Sequence, residues 1–303
     1  MIHAEPKRIL LATDLSCRCD RALDRAVQLA EVWNAELVAA TIVEPGPADL
    51  LDSRTAAWRH PATSSDRMRW RLARDVASAA DGIRVVVETG EPAAKLAEIA
   101  RREQCDLIVT GIARDETLGR MFLGNTVNRL VRAGTTPVLV VRDRPSHPYG
   151  RIVVATDFSE AALQATLAAA AFFPEAALTL FHGYDIPYMG YLTDDNFARE
   201  TRALAAEARA KLAADTRIVP ALRDKLALVV EHGAPEVLIG QYVEDHHVDL
   251  TVIGSLGHGA LFDAFIGSMD KRLLDNLDGD LLIVRQRDGA QPELRPEGAA
   301  PPP

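Results

Sequence analysis

Cysteine is scarce in this sequence of 303 residues, which has three, at positions 17, 19 and 105. Three thiols, two of them one residue apart, do not make the paired framework of a small secreted protein. Two thiolates with no further ligands nearby also fall short of a structural zinc site, and Cys17-x-Cys19 is not the Cys-x-x-Cys redox spacing. We therefore expect a reducing compartment, and we interpret this pair as incidental thiols at a helix start.

Long apolar runs and an excess of basic charge are also missing. No run approaches the roughly 18–20 residues of a membrane span, and residues 1–6 lack the apolar centre of a secretory signal. Residues 1–143 carry 20 basic and 20 acidic side chains, whereas residues 144–303 carry 14 and 23. An acidic surface suits phosphodiester backbones poorly. We expect a cytoplasmic protein with neither a membrane nor a nucleic acid as its partner.

What the sequence does contain is an internal repeat, since residues 8–141 recur at 151–284 with a constant offset of 143. Matching landmarks are Ala12-Thr13-Asp14-x-Ser16 with Ala155-Thr156-Asp157-x-Ser159, Gly90-x-Pro92 with Gly233-x-Pro235, Gly111 with Gly254, and Gly124 with Gly267. An offset that holds across such separated landmarks implies two copies of one fold. We assign domain 1 to residues 1–144 and domain 2 to 151–288. The proline-containing tail, 289–303, is expected to be disordered.

Each copy alternates apolar strands with helices, a pattern typical of parallel sheets covered on both faces. We predict two tandem doubly wound α/β domains, each with a five-stranded parallel sheet. In the first copy the strands are expected at 8–12, 36–43, 83–88, 106–110 and 137–141. Helical spacing of Leu23, Val27 and Ala30 predicts a helix after the first strand. Pro92 suits the first turn of another.

The last strand of each copy is apolar at what would be a sheet edge. Exposed apolar edges invite pairing, so we expect residues 138–141 to pair with 281–284 inside the chain. The two copies would then form a pseudo-dimer, and association of two chains as a homodimer stays open.

Ligands of open parallel sheets bind beyond the carboxyl ends of the strands. After the fourth strand of the second copy come Gly254, Gly257 and then Gly267-Ser268. Glycine lets a backbone approach an anion closely, and the amides of Gly267, Ser268 and Met269 lie where a helix N-terminus offers unpaired donors to phosphate. Turn chemistry alone is the alternative interpretation of these glycines.

Over residues 7–287 the chain resembles the universal stress protein family in its tandem form. Its nucleotide-binding members carry Gly-x2-Gly-x9-Gly-Ser/Thr, which Gly254, Gly257, Gly267 and Ser268 reproduce. The resemblance implies an ATP site, with a divalent cation such as Mg²⁺ or Mn²⁺ among the phosphates in some members. It places adenine and ribose beside Ala155, Asp157, Gly183, Ile253 and Gly254. It places the phosphates beside Gly257, His258, Gly267, Ser268 and Met269.

The first copy departs from this pattern. Arg114 occupies the second glycine position, and Asn125 follows Gly124 in place of Ser or Thr. A bulky side chain would obstruct backbone approach, although a guanidinium could itself pair with phosphate. We therefore expect a weak or lost nucleotide site in the first copy.

Several candidate residues have plainer interpretations. Asp14 and Asp157 could cap helices instead of, or as well as, contacting a ligand. His258 could face solvent. His246, His247 and His232 could suggest a metal, but adjacent histidines on a helix point about 100° apart. The segment 67–74 interleaves basic and apolar residues and could dock on an acidic partner, a membrane or RNA; an amphipathic helix with a solvated basic face is the simpler account.

The motifs of the second copy are the basis for three hypotheses about function. We favour an ATP-binding stress or regulatory protein. It would act by exchanging protein partners, which are unidentified, and it would need no catalytic residues. A slow ATPase is the alternative, although the P-loop Gly-x4-Gly-Lys-Ser/Thr is absent and no Lys or Arg lies between Gly254 and Ser268. The third hypothesis is an interaction scaffold that binds no nucleotide.

Overall fold

The computed structural model describes residues 5–16, 19–44, 64–77, 82–114, 121–122, 125–184, 194–255 and 279–285. The strands are β1 (Arg8–Ala12), β2 (Glu36–Val43), β3 (Arg84–Thr89), β4 (Leu107–Gly111), β5 (Ala113–Arg114), β6 (Met121–Phe122), β7 (Val138–Val141), β8 (Arg151–Ala155), β9 (Ala177–Tyr184), β10 (Leu226–His232), β11 (Leu250–Ser255) and β12 (Asp280–Arg285). The helices are α1 (Asp20–Trp33), α2 (Ser64–Ala77), α3 (Pro92–Arg102), α4 (Asn125–Ala133), α5 (Glu160–Phe172), α6 (Asp194–Ala214), α7 (Pro220–Arg223) and α8 (Pro235–His246).

Ten strands form one sheet in the order β10-β9-β8-β11-β12-β7-β4-β1-β2-β3. Pairing is parallel within each half, so each half contributes five parallel strands, as the repeat predicts. The short β5–β6 hairpin between β4 and α4 was not predicted. The doubly wound α/β fold is confirmed.

The two halves join through their last strands. β12 pairs antiparallel with β7, with Leu281 opposite Val140 and Ile283 opposite Val138. The predicted pairing of these edges is therefore confirmed, and an apolar edge in each half is covered by its counterpart.

Helices cover both faces of this sheet, because successive strand residues point to opposite sides. One core cluster packs strand residues such as Leu11 and Val252 with α1, α2 and α5. The other packs residues such as Leu10 and Ile253 with α3, α4 and α8. Both clusters draw residues from both halves, so the hydrophobic core is continuous across the chain.

Helix α1 forms where the spacing of Leu23, Val27 and Ala30 predicts it, but these three residues do not form its most buried face. Leu23, Val27 and Ala30 are half-buried flanking residues, whereas the fully buried face holds Ala22, Arg25, Ala26, Leu29 and Trp33. The reason is tertiary, because α1 packs on the second half as well as on its own sheet. The indole Nε1–H of Trp33 donates to the Phe172 carbonyl at 2.9 Å, and their rings meet edge to face.

Polar contacts also cross between the halves. Asp280, with its side chain fully buried, accepts hydrogen bonds from the amides of Arg142 (2.7 Å) and Asp143 (3.0 Å) and from the Tyr149 hydroxyl (2.5 Å). Arg25, buried on α1, lies 3.4 Å from the same carboxylate and stacks over Tyr149. The linker is thereby held between the first half and the last strand.

Candidate functional site

Five of the residues that the family resemblance implicates in nucleotide binding by the second copy lie at one edge of the sheet. β8 lies between β9 and β11, and the carboxyl ends of these three strands carry Ala155, Gly183, Ile253 and Gly254, with Asp157 in the turn after β8. Open doubly wound sheets take their ligands beyond the carboxyl ends of the strands, where the strand order reverses, and in this half the order reverses between β8 and β11. The structure therefore brings these predicted residues together.

The turn that follows β8 is held by its own side chains. The Ser159 amide donates to Asp157 Oδ1 at 2.9 Å, and the Phe158 amide donates to Thr156 Oγ1 at 3.0 Å. Phe158 has a left-handed φ of 62°, which these two bonds stabilise. Ser159 caps α5 by accepting from the Ala162 amide. The capping hypothesis thus applies to Ser159, while Asp157 orders the turn.

The first half repeats this turn. Ser16 donates its amide to Asp14 Oδ1 at 2.9 Å, Leu15 adopts a φ of 61°, and the Cys19 thiol donates to Asp14 Oδ1 at 3.2 Å. Partial burial alone would raise the pKa of Asp14, but the hydrogen bonds from Ser16 and Cys19 outweigh it and hold that pKa below its ordinary value. The carboxylate is therefore charged at neutral pH.

The two described glycines of the second-copy site have packing roles of their own. A Cβ on Gly254 would lie 2.2 Å from the Ala161 carbonyl oxygen in the first turn of α5, and a Cβ on Gly183 would lie 2.8 Å from Pro235 Cα at the start of α8. Such distances are too short for any side chain. Close helix approach therefore explains both glycines, a reason that the ligand-based interpretation of the motif did not include.

Ser255 is a residue that the sequence reasoning passed over. It ends β11 directly after Gly254, it is 3% exposed, and its hydroxyl has no hydrogen-bond partner among the described residues. An unpartnered buried hydroxyl costs free energy unless something bonds to it. The counterpart of Ser255 in the first copy is Ile112. A comparison of the two copies could have identified Ser255, because a polar residue stands there where the first copy has an apolar one.

The first half contains an open cleft at the matching edge of its sheet. Its volume is about 500 Å³, within the usual range for ligand sites. The lining residues come from the ends of β1, β2 and β4 and from α2, α3 and α4, and include Ala12, Thr13, Asp14, Cys19, Ala40, Ile42, Val43, Glu44, Met68, Leu96, Thr110, Gly111, Ile112 and Val127. A cleft persists where the first copy lacks the phosphate motif.

The remaining candidate residues, Gly257, His258, Gly267, Ser268 and Met269, lie outside the described residues, as do Gly124 and Cys17. Within the described ranges no three His, Cys, Asp or Glu side chains cluster in a way that could hold a metal ion. Searched over the same ranges, the helices include none with the length and apolar character to cross a membrane.

The basic helix predicted near residues 67–74 is α2. Its buried side carries Leu72 and Val76, with Met68 half-buried, while Trp70 is 64% exposed and Arg74 lies over its ring. The structure matches the amphipathic interpretation of this segment.

Comparison with known proteins places both halves in one family. The sequence model of the universal stress protein family matches residues 5–142 and again 148–285. A universal stress protein of Mycolicibacterium smegmatis is 26% identical over 301 residues, covering 92% of this chain and 97% of that protein. The crystal structure of a universal stress protein from Archaeoglobus fulgidus covers 92% of this chain and 98% of its own at a TM-score of 0.63 and 16% identity. A universal stress protein solved in complex with cAMP aligns with 46% of this chain and 99% of its own, at a TM-score of 0.33 and 24% identity.

Proposed function

The chain belongs to the universal stress protein family, and we propose that its second half binds ATP as the sensing step of a cytoplasmic stress-response regulator. ATP would be held by Ala155, Asp157, Gly183, Ile253 and Gly254 on the base and sugar side. The phosphates would be held by Gly257, His258, Gly267, Ser268 and Met269. Sensing requires binding and a change of partner, with no chemical step on the nucleotide.

The proposal rests on the positions of Gly254 and Asp157 at the carboxyl ends of two paired strands. Gly254, the first glycine of Gly254-x2-Gly257-x9-Gly267-Ser268, is the penultimate residue of β11, which pairs with β8, and Asp157 lies two residues after the end of β8. The phosphate-binding pattern therefore begins at the crevice where open α/β sheets take their ligands. A nucleotide there would have its base and ribose near the Asp157 turn and its phosphates near the backbone donors of the helix that the sequence predicts after Gly267.

Two side chains add to this support. Asp157 is already oriented by the Ser159 amide at its Oδ1, so little ordering is needed for it to accept hydrogen bonds from a ribose or an exocyclic amine. The buried Ser255 hydroxyl, unpartnered among the described residues, offers a further donor. A bound Mg²⁺ or Mn²⁺ would neutralise phosphate charge, with Asp157 as a carboxylate within the proposed site.

The test is calorimetric titration of ATP with Mg²⁺ into the full-length protein, compared with two reciprocal variants. Gly257→Arg places the first copy's residue in the second copy, and Arg114→Gly makes the opposite exchange. We expect one saturable site per chain that Gly257→Arg abolishes and Arg114→Gly leaves intact. Absence of binding by the unaltered chain, or binding that survives Gly257→Arg, would refute the assignment.

A further inference from the structure

We infer that one face of helix α2 is a docking surface for an acidic segment of a partner protein. This surface, the outer face of α2, consists of Arg67, Trp70, Arg71 and Arg74. The inference rests on the proposed function only for the role of docking, which is the exchange of partners. The surface itself is defined by described residues of the first half.

The outer face of α2 points directly away from the protein core. Residues at i, i+3, i+4 and i+7 share one side of a helix, and these four side chains are all exposed. Leu72 and Val76, on the opposite side, are 1% and 3% exposed and belong to the core. At a rise of 1.5 Å per residue the outer face is about 10 Å long.

This surface is separate from the ligand clefts and from the joint between the halves. α2 packs on β2 and β3, and β3 is the outermost strand at that end of the sheet. β1 and β4 lie between β2 and the joint strand β7. Met68, on a third side of α2, lines the first-half cleft. A partner on the outer face would therefore leave both the cleft and the joint uncovered.

Trp70 is the apolar anchor of the outer face. Among the described residues it is the most exposed large apolar side chain, at 64%. The guanidinium carbon of Arg74 lies 4.9 Å from the centre of a Trp70 ring, a cation–π contact that restricts the indole and leaves it exposed. Tryptophan and arginine are enriched among the side chains that dominate the binding energy of protein interfaces.

Charge determines which partner complements this face. α2 contains four arginines and two aspartates, a surplus of two positive charges, in a chain whose net charge is −9. Arg74 lies 3.7 Å from Asp75, but both side chains are exposed, so this pair contributes little. Guanidinium groups bind carboxylates through paired, charge-assisted hydrogen bonds. A segment with carboxylates on both sides of an apolar side chain therefore complements the arginines and Trp70 together.

Other anionic partners fit the outer face less well. A helix that lies on a membrane buries a continuous apolar face in the lipid, whereas the apolar face of α2 is occupied by the core. A nucleic acid carries negative charge along its whole length. That charge would extend past a face of about 10 Å onto a protein of net charge −9. A short acidic segment meets the arginines of α2 alone.

Trp70 also provides a local readout of docking. In a full-length Trp58→Phe variant the remaining tryptophans are Trp70 and Trp33, and Trp33 is 3% exposed. Acrylamide quenching of fluorescence in this variant therefore reports mainly on Trp70. The probe is a synthetic peptide of repeated Glu-Glu-Leu, added without nucleotide, and the control peptide has Gln in place of every Glu. We expect the acidic peptide to protect Trp70 saturably and the Gln peptide to give no protection. Raising the salt from about 0.05 M to about 0.5 M should weaken binding at least about fivefold.

Two pairs of substitutions in the same background locate the effect. Arg71→Gln with Arg74→Gln should weaken binding of the acidic peptide roughly tenfold, because two charge-assisted contacts are lost. Glutamine has nearly the helix propensity of arginine, so an unchanged thermal midpoint would show that the fold is intact. Arg202→Gln with Arg209→Gln is the matched control, since it removes the same charge from exposed positions of α6. Its affinity should stay within about twofold, because distant surface charges are screened.

The inference is overturned if the acidic peptide does not protect Trp70, if the Gln peptide protects it equally, or if Arg71→Gln with Arg74→Gln has no effect. It is also overturned if this face prefers another partner. That outcome would be tighter binding of phosphatidylserine vesicles or of a single-stranded RNA, or self-association in sedimentation, lost in the same variant. Loss of calorimetric ATP binding would instead refute the proposed function and leave the peptide result intact.

Discussion

Replacing Gly254 with alanine tests whether this glycine is needed for folding as well as for ligand approach. The added Cβ would lie 2.2 Å from the Ala161 carbonyl oxygen and 2.3 Å from its carbon. Ordinary contacts begin near 3.4 Å, so the start of α5 or the end of β11 must move by about 1 Å. Both are packed backbone elements, and overpacking of this kind costs about 1–3 kcal/mol and occasionally more.

The assay is denaturant and thermal unfolding of the full-length protein without nucleotide. We expect Gly254→Ala to lower the free energy of unfolding by about 1–3 kcal/mol, with a midpoint lower by roughly 2–4 °C for each kcal/mol. Gly150→Ala is the matched control, because its Cβ would meet nothing closer than Asp249 Oδ2 at 3.6 Å. It should be neutral or stabilising by up to about 1 kcal/mol. Unchanged stability of Gly254→Ala together with weakened ATP binding would refute the packing argument.

Three further predictions concern the interface between the halves and the titratable groups of the first half. Asp280→Ala should destabilise the chain by roughly 3–5 kcal/mol in urea unfolding, because it leaves Arg25 and two amides facing a buried void; a loss below 1 kcal/mol would contradict the network's role. Burial raises the pKa of the Cys105 thiol to about 12, so maleimide at pH 8 should label it far more slowly in the folded than in the urea-unfolded protein, as mass spectrometry would show. Asp14 has a lowered pKa, so its contribution to stability is present above the ordinary aspartate value and is lost as pH falls through the folded-state value. Asp14→Asn should therefore make the unfolding free energy less pH-dependent below about pH 4, and an unchanged acid dependence would contradict this.

Much of the fold could be predicted from the sequence because apolar strands and the repeat are local signals. β1 and β2 have the predicted bounds, and β3 and β4 differ from prediction by one residue at each end. The repeat also identified the strands that join the halves. The buried face of α1 was not predictable in the same way, because the partners of Arg25 and Trp33 lie more than 100 residues away.

The candidate site was also predictable from the sequence only in part. Motif spacing placed Asp157 and Gly254 at one sheet edge, and the structure brings both there. Spacing could not show that Gly254 and Gly183 are also required by Ala161 and Pro235, since helix approach depends on tertiary packing. Motif spacing also could not predict the cleft of the first half. The first copy differs from the motif at the phosphate-binding positions, and these differences do not determine how much space lies beside Asp14.

The contacts between the halves decide how their functions should be separated experimentally. Arg285 of β12 donates to the carbonyls of Arg132 (2.8 Å) and Gly134 (2.5 Å) at the end of α4, and Trp33 bonds across to Phe172. An isolated half would expose the β7 or β12 edge and leave these buried groups without partners, which costs free energy and invites aggregation. Failure of an isolated half to bind a ligand would therefore report on folding as much as on its site. Reciprocal substitutions in the full chain, such as Gly257→Arg with Arg114→Gly, keep the shared core and change only the two motif positions being compared.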